Sequence, residues 1–222
     1  MAWRAELGER VRWHFLLKTF GTAGFVCLFL LAYFQVQMNP AYPPTVMPLT
    51  DLDLLIAFQP YALIAYVSLF IYVGVGPGLQ KTWTDLLAYC LTIGALCAAG
   101  LAIFYFLPTQ LPAVGVDESG FFAFALLHRI DAASNACPSM HVAIAMFTAM
   151  RVHSVLSEAR APLWLRFLNW CWCALIAYST IAIKQHVVLD VAGGLVLGAG
   201  FGALAEPARK WLSRPYRLLA HS

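Results

Sequence analysis

The chain has 222 residues, of which 61% are hydrophobic and 11% are charged, and its mean hydropathy is +0.73. A soluble domain carries about 25% charged residues, so this composition excludes an ordinary water-soluble protein and indicates an integral membrane protein. The net charge of +3 is small and scattered, which argues against a nucleic-acid partner. The six cysteines follow neither a disulfide framework nor zinc-ligand spacing.

The apolar stretches predict the fold. The first 15 residues are amphipathic and basic, and no small-residue cleavage site follows them, so the first stretch is interpreted as an uncleaved span. A transmembrane helix needs about 20 apolar residues. Six stretches have this length: 17–37, 54–75, 84–107, 137–156, 164–184 and 186–205. The sequence therefore predicts an all-α integral membrane protein, a single domain over residues 1–222 built as a six-transmembrane-helix bundle.

The basic residues predict how the bundle is oriented. If the N-terminus is cytoplasmic, every Lys and Arg except Arg129 and Lys184 lies on the cytoplasmic side, as the positive-inside rule requires. The C-terminus is then cytoplasmic too. Polar segments at the ends of spans three to six meet on the opposite face, which is the periplasm, the exterior or a lumen. We expect the active site there.

His186 and Asp190 are four residues apart at the start of the sixth span, which places them on one helix face. A carboxylate bound to one ring nitrogen orients a histidine for nucleophilic attack or proton transfer. A structural pair that holds the helix end explains the same spacing. The spacing alone leaves both interpretations open.

Ser139 and His141 belong to the run Pro138-Ser139-Met140-His141, which opens the fourth span. Proline and serine suit the start of a helix, where free N–H groups can bind an anion such as phosphate. His141, in the first turn, could protonate a leaving group. The alternative is a capped helix whose histidine faces lipid headgroups.

Arg129 and Lys184 are the two cations expected on the outer face. Positioned cations are a main means of stabilising a charged phosphoryl group. The alternative for both is contact with lipid headgroups at the interface, and Arg129 could instead pair with Asp131. Gly194, Gly198 and Gly202 recur every four residues in the sixth span and predict close helix packing rather than chemistry.

Two motifs together carry a resemblance to the type 2 phosphatidic acid phosphatase superfamily, and the six-span layout fits the membrane branch of that group. The motifs are Pro138-Ser139-x-His141 and Ser179-Thr180-x5-His186-x3-Asp190. The resemblance covers roughly residues 104–200. It implies that His186 is the nucleophile and forms a phosphohistidine, that Asp190 orients it, and that His141 protonates the leaving oxygen. It implies no metal and no cofactor.

The remaining site residues follow from the same resemblance and from its departures. The family's Lys-x6-Arg-Pro element is absent, and Thr180 stands where an arginine normally follows the serine of the last motif. Lys184 and Arg129 would then bind phosphate together with Ser139. Five further residues would support the site: Asp131, Asn135, Thr109, Ser179 and Thr180. The pattern from Asp131 to His141 and the Ser-Thr pair are similar to inositol phosphorylceramide synthases and sphingolipid phosphotransferases.

These observations lead to one expected function and two alternatives. We expect a membrane enzyme that transfers the phosphoryl-containing headgroup of a phospholipid or lipid phosphate to a lipid alcohol through a phosphohistidine. The first alternative is a lipid phosphate phosphatase acting on phosphatidic acid or a polyprenyl phosphate. The second is a non-catalytic lipid-binding or transport bundle, against which the intact His141, His186 and Asp190 argue.

Overall fold

The structure, a computed structural model, describes residues 2–113 and 134–219, with side chains up to residue 213. It is a bundle of α-helices. The helices are α1 (Ala2–Arg12), α2 (Phe15–Met38), α3 (Asp51–Leu55), α4 (Leu63–Val67), α5 (Leu69–Gly78), α6 (Trp83–Phe106), α7 (Met140–Glu158), α8 (Leu163–Ala182) and α9 (Val188–Leu219). Two short parallel strands, β1 (Thr45–Val46) and β2 (Thr109–Gln110), join the loops that follow α2 and α6.

Five segments of the described chain are long and apolar enough to cross a membrane: Phe15–Met38, Pro60–Gly78, Trp83–Phe106, Met140–Glu158 and Val188–Ser213. They match five of the six predicted spans. The other predicted span, 164–184, is present as the 20-residue helix α8, but it is not among the five. Its first half carries Trp164, Arg166 and Asn169, which lower its hydropathy. The predicted count of six is therefore not confirmed.

The second span starts later than the sequence predicted. Residues 51–55 form the separate short helix α3, and the spanning segment begins only at Pro60, with a 3-10 turn that leads into α4. The hydroxyl of Ser68, between α4 and α5, donates to the carbonyl of Ala65 at 2.6 Å. The predicted start at residue 54 was wrong because residues 56–59 are not helical, and the carbonyl of Ile56 accepts a hydrogen bond from Lys184 instead of one from its own helix.

Helix α7 lies at the centre of the bundle, and α9 approaches it closely. Val142, Ala143 and Ala145 are completely buried. A Cβ atom at Gly194 would lie 2.5 Å from the carbonyl oxygen of Ser139, and one at Gly198 would collide with that of Ala143. The predicted close packing at the glycine face is thereby confirmed. It brings the start of α9 against the start of α7.

Helix α8 is joined to this core by buried hydrogen bonds. Tyr72 of α5 donates its hydroxyl to Asn169 Oδ1 at 2.7 Å, and Asn169 Nδ2 donates to the carbonyl of Ala149 at 3.0 Å. Since an unpaired polar group is costly away from water, these bonds hold three helices at a fixed separation.

Candidate active site

His186 lies in the turn between α8 and α9, where its backbone N–H donates to the carbonyl of Thr180 at 3.1 Å. Its Nδ1 is 3.4 Å from Oδ2 of Asp190, and Asp190 is completely buried. The same carboxylate oxygen accepts the N–H of Val187 at 3.0 Å, while Oδ1 has no hydrogen-bond partner among the described residues. The separation of 3.4 Å is longer than a hydrogen bond, and the contact is an ion pair only when the imidazole is protonated. Such contacts commonly tighten only when substrate binds.

His141 lies in the first turn of α7, and aromatic rings surround it. The phenol ring of Tyr66 is stacked on the imidazole, with centroids 3.9 Å apart and planes 13° apart. Phe70 meets the imidazole edge-on at 6.1 Å. Nε2 of His141 is buried and has no partner in the described part of the chain. Sequence analysis did not identify Tyr66.

The two histidines line one cavity. Its volume is about 170 Å³, and its wall is formed mostly by α2, α4, α5 and α7. The wall is apolar and rich in aromatic rings, and Asn135 is one of the few polar side chains in it. The structure therefore brings together the two histidines that the sequence motifs singled out, and it does so in surroundings suited to a lipid.

The two motifs are also joined through the backbone. The N–H of Ser139 donates to the carbonyl of Asp190 at 2.9 Å, and the Ser139 hydroxyl accepts the N–H of Val142 at 3.4 Å. Ser139 is completely buried, and both its hydroxyl and its amide are engaged. The next amides, of Met140 and His141, belong to the first helical turn, which has no acceptors within the helix.

Thr109 and Asn135 hold the segment that leads into α7. The N–H of Cys137 donates to Thr109 Oγ1 at 2.8 Å, and that of Ala136 donates to the Thr109 carbonyl at 3.3 Å. Asn135 Nδ2 donates to the carbonyl of Tyr33 in α2 at 3.4 Å. Both residues thus have contacts that position the Ser139 turn.

Ser179 and Thr180 lie in the last turns of α8 and are completely buried. Their hydroxyls donate to carbonyls of their own helix, at Ile176 (2.6 Å) and Ala177 (2.8 Å) respectively. The contact of Thr180 with the site is its carbonyl, which accepts the N–H of His186.

Lys184 and Asp53 fasten the turn that carries His186. Lys184, with a φ of 58°, donates its ammonium to the carbonyls of Asp53, at 2.8 Å, and Ile56. Asp53 Oδ1 accepts the N–H of Val188 at 2.8 Å, so it caps the start of α9. Lys184, Asp53 and His186 line a second, small cavity of about 30 Å³. Sequence analysis missed Asp53, although Thr50-x-x-Asp53 is a capping pattern.

Arg129 and Asp131, which the sequence analysis assigned to the site, lie outside the described residues. The roles predicted for them remain predictions.

Comparison with known proteins agrees with the motifs. The family model of the PAP2 superfamily matches residues 19–213. The chain therefore belongs to this superfamily, whose members are phosphatases and phosphotransferases acting on lipid-type substrates. No curated protein and no solved structure matches the chain. The match confirms the superfamily resemblance, whereas the synthase-like subgroup is not confirmed.

Proposed function

We propose that this protein is a lipid phosphotransferase, similar to inositol phosphorylceramide synthases, with His186 as its nucleophile. The observation that carries the proposal is that His141 and the Asp190-paired His186 line the same apolar cavity. A histidine with a carboxylate at one ring nitrogen is prepared for nucleophilic attack through the other. A second histidine beside it supplies an acid for the leaving group.

The reaction has two steps. In the first, Nε2 of His186 attacks phosphorus, the bond from phosphorus to the donor lipid's oxygen breaks, and His141 gives that oxygen a proton. Asp190 accepts the Nδ1–H of His186 and stabilises the positive ring. In the second, the acceptor hydroxyl gives its proton to His141 and its oxygen attacks phosphorus. The phosphorus–nitrogen bond breaks and His186 is regenerated.

The phosphate ligands are proposed as the first-turn amides of α7 beside Ser139, together with Lys184 and Arg129. A lysine ammonium has three N–H donors. Two N–H donors of Lys184 bond to the backbone carbonyls of Asp53 and Ile56. The third N–H is left to bind a phosphate oxygen. Lys184 would then both fasten the turn and supply the charge that Thr180 does not.

Transfer to a lipid alcohol is favoured over hydrolysis by the character of the cavity. A transferase must place a hydroxyl at the phosphoenzyme ahead of water, and an apolar wall keeps water scarce there. The walls of this cavity consist largely of Phe, Tyr, Leu, Val and Ile side chains. We propose that the cavity opens on the non-cytoplasmic leaflet, with both termini in the cytoplasm.

The test supplies a phospholipid labelled in its headgroup, together with candidate lipid alcohols, to the purified protein in detergent. We expect label to appear on an alcohol faster than in water, and His186→Ala to abolish both reactions. His141→Ala should be severely impaired with the lipid donor but much less so with an aryl phosphate, whose leaving group needs little acid help.

His153→Ala is the matched control, because His153 lies further along α7 and accepts a hydrogen bond from Trp170 at 3.1 Å. Its activity should equal that of the wild type. Full activity of His186→Ala would refute the mechanism. Release of free label at one rate with and without every acceptor would make the protein a lipid phosphatase instead.

A further inference from the structure

Helix α2 stands apart from the rest of the bundle. Lys18 is its only buried residue, and it meets the core through partly buried side chains such as Phe25, Phe29 and Tyr33. Because α2 contacts the other helices along one row of side chains only, an apolar groove is left between α2 and its neighbours on each side of that row. Both grooves are present here.

The first groove lies between α2, α5 and α6. It has a volume of about 350 Å³, and Gly21 of α2 lies in its wall opposite Leu86 of α6. Three side chains line both this groove and the cavity of the histidines: Phe25, Val73 and Ile93. The first groove therefore adjoins the candidate active site, with these three side chains in the shared wall.

The second groove lies on the other side of α2, against α5. It has a volume of about 590 Å³, and Gly74 of α5 and Ala23 of α2 line it. Val26 and Phe70 line both this groove and the cavity of the histidines. Two apolar grooves thus adjoin the cavity at the active site, one on each side of α2.

Lys18 lies in the wall of both grooves, and its ammonium is bonded to backbone carbonyls. The ammonium donates to the carbonyls of Arg10 at 2.6 Å and Gly78 at 2.7 Å, so its charge is satisfied beside the apolar grooves. From Tyr33 to Lys18 is 15 residues, or roughly 22 Å at about 1.5 Å each. This exceeds half of the bilayer's hydrocarbon core, which is about 30 Å thick. The cavity and one groove together are therefore long enough for a hydrocarbon chain that reaches past the middle of the bilayer.

We infer that the active site takes a two-chain lipid that straddles α2, with one hydrocarbon chain in each groove and its headgroup at the histidines. Within a bilayer, packing contacts rather than water exclusion stabilise such an arrangement. A single-chain lipid would use one groove and leave the other to surrounding lipid. The inference deepens the proposed function, on which it rests for the phosphate-bearing headgroup.

Three glycines allow each groove to be filled separately. A Cβ atom at Gly21, Gly74 or Gly24 would meet no other atom within 4 Å, so a side chain at any of these positions begins in open space. Gly21 lines only the first groove and Gly74 only the second, while Gly24 of α2 lines neither. Gly24 is therefore the matched control.

The experiment measures binding rather than turnover, in purified His186→Ala protein. The probes are dioleoyl phosphatidic acid, with two chains, and oleoyl lysophosphatidic acid, with one. Gly21→Phe and Gly74→Phe should each weaken binding of the two-chain probe about tenfold, because one chain loses its packing contacts. Binding of the one-chain probe should change little, because the other groove remains open. Gly24→Phe should alter neither affinity.

Unchanged two-chain binding in either groove variant would overturn the inference, and so would equal losses for the two probes. Gly21→Leu and Gly74→Leu repeat the comparison with smaller side chains if a phenylalanine variant does not fold. Because binding is read without chemistry, its outcome is separate from that of the proposed function. The proposed function is tested separately, by the turnover assays with the wild-type, His186→Ala and His153→Ala proteins.

Discussion

At the scale of single residues, the stacking of Tyr66 on His141 is the contact that best explains how the proposed acid is held. Nε2 of His141 has no hydrogen-bond partner among the described residues, whereas the Tyr66 ring lies parallel to the imidazole at 3.9 Å. An aromatic face restricts the orientation of the ring and attracts its protonated form. Tyr66 would then be a positioning residue that acts through His141.

We predict that Tyr66→Leu lowers turnover of a lipid donor by about tenfold or more, because a misplaced acid loses part of the 10²–10⁴-fold that acid catalysis supplies. Tyr66→Phe should restore most of the activity, since it keeps the stacked ring. Turnover of an aryl phosphate should be nearly the same in the wild type, Tyr66→Leu and Tyr66→Phe. The measurement is kcat for the two donors side by side.

The contrast between donors separates positioning from structure. A collapse of the cavity in Tyr66→Leu would reduce turnover of both donors equally, and this result would contradict the prediction. Failure of Tyr66→Phe to restore activity would show that the ring stack is not what holds His141.

Sequence analysis found the site residues whose partners are close in sequence, and it missed those whose partners are far away in sequence. His186 and Asp190 are one helical turn apart, so their spacing alone predicts that they meet. Tyr66 precedes His141 by 75 residues, and Asp53 bonds the N–H of Val188 across 135 residues. Nothing in the local pattern indicates such contacts, because they depend on how α4 and α3 pack against other helices.

At the scale of helices, the contact between α7 and α9 positions the site, because it carries the bond from Ser139 to Asp190. Gly198 lies one turn beyond Gly194 along this contact and faces the carbonyl of Ala143. Any side chain at Gly198 would push the two helices apart. The same push would separate the two histidine motifs.

We predict that Gly198→Leu destabilises the protein by about 1–3 kcal/mol, the usual cost of inserting atoms into a packed contact. It should also lower turnover. Gly200→Leu is the control, because Gly200 lies on the same helix and a Cβ atom there meets nothing within 4 Å. Thermal unfolding in detergent and the turnover assay compare the two variants. Equal unfolding temperatures would contradict the prediction.

The helices themselves were largely predictable from hydropathy, because a span is defined mostly by about 20 apolar residues. Hydropathy did not predict where the second span begins, because hydrogen bonds to another part of the chain determine that boundary. Residues 54–59 are apolar enough to extend the second span, yet Lys184 and Asp53 tie this segment to the start of α9. The glycine spacing, by contrast, correctly indicated which face of α9 packs closely.

At the scale of the whole molecule, ion pairs of the described residues cluster at one end of the bundle, and His141 and His186 lie at the other. Glu158, at the end of α7, pairs with Arg10 at 3.4 Å and with Arg209 of α9 at 3.6 Å. His141 and Asp190 lie at the opposite ends of the same two helices. This distribution is what the positive-inside rule requires if the charged end is cytoplasmic and the site faces outward.

Cys137 provides a test of that orientation, because it lies at the histidine end, just before α7, and is partly exposed. Burial raises the pKa of its thiol, and the nearby Asp190 carboxylate raises the pKa further. Since the thiolate is the reactive form, Cys137 should react slowly at neutral pH and faster as the pH rises toward its raised pKa.

We predict that a membrane-impermeant maleimide labels Cys137 in intact cells, at a rate that increases with pH, and that Cys137→Ser abolishes this labelling. The other exposed cysteines, Cys27, Cys90 and Cys171, lie in helices with apolar neighbours and should be shielded by lipid. In the Cys137→Ser background, Arg160→Cys places a thiol in the exposed turn after α7, at the charged end. It should be labelled only after the cells are permeabilised. The reverse pattern, with Arg160→Cys labelled in intact cells and Cys137 labelled only after permeabilisation, would place the histidines on the cytoplasmic side.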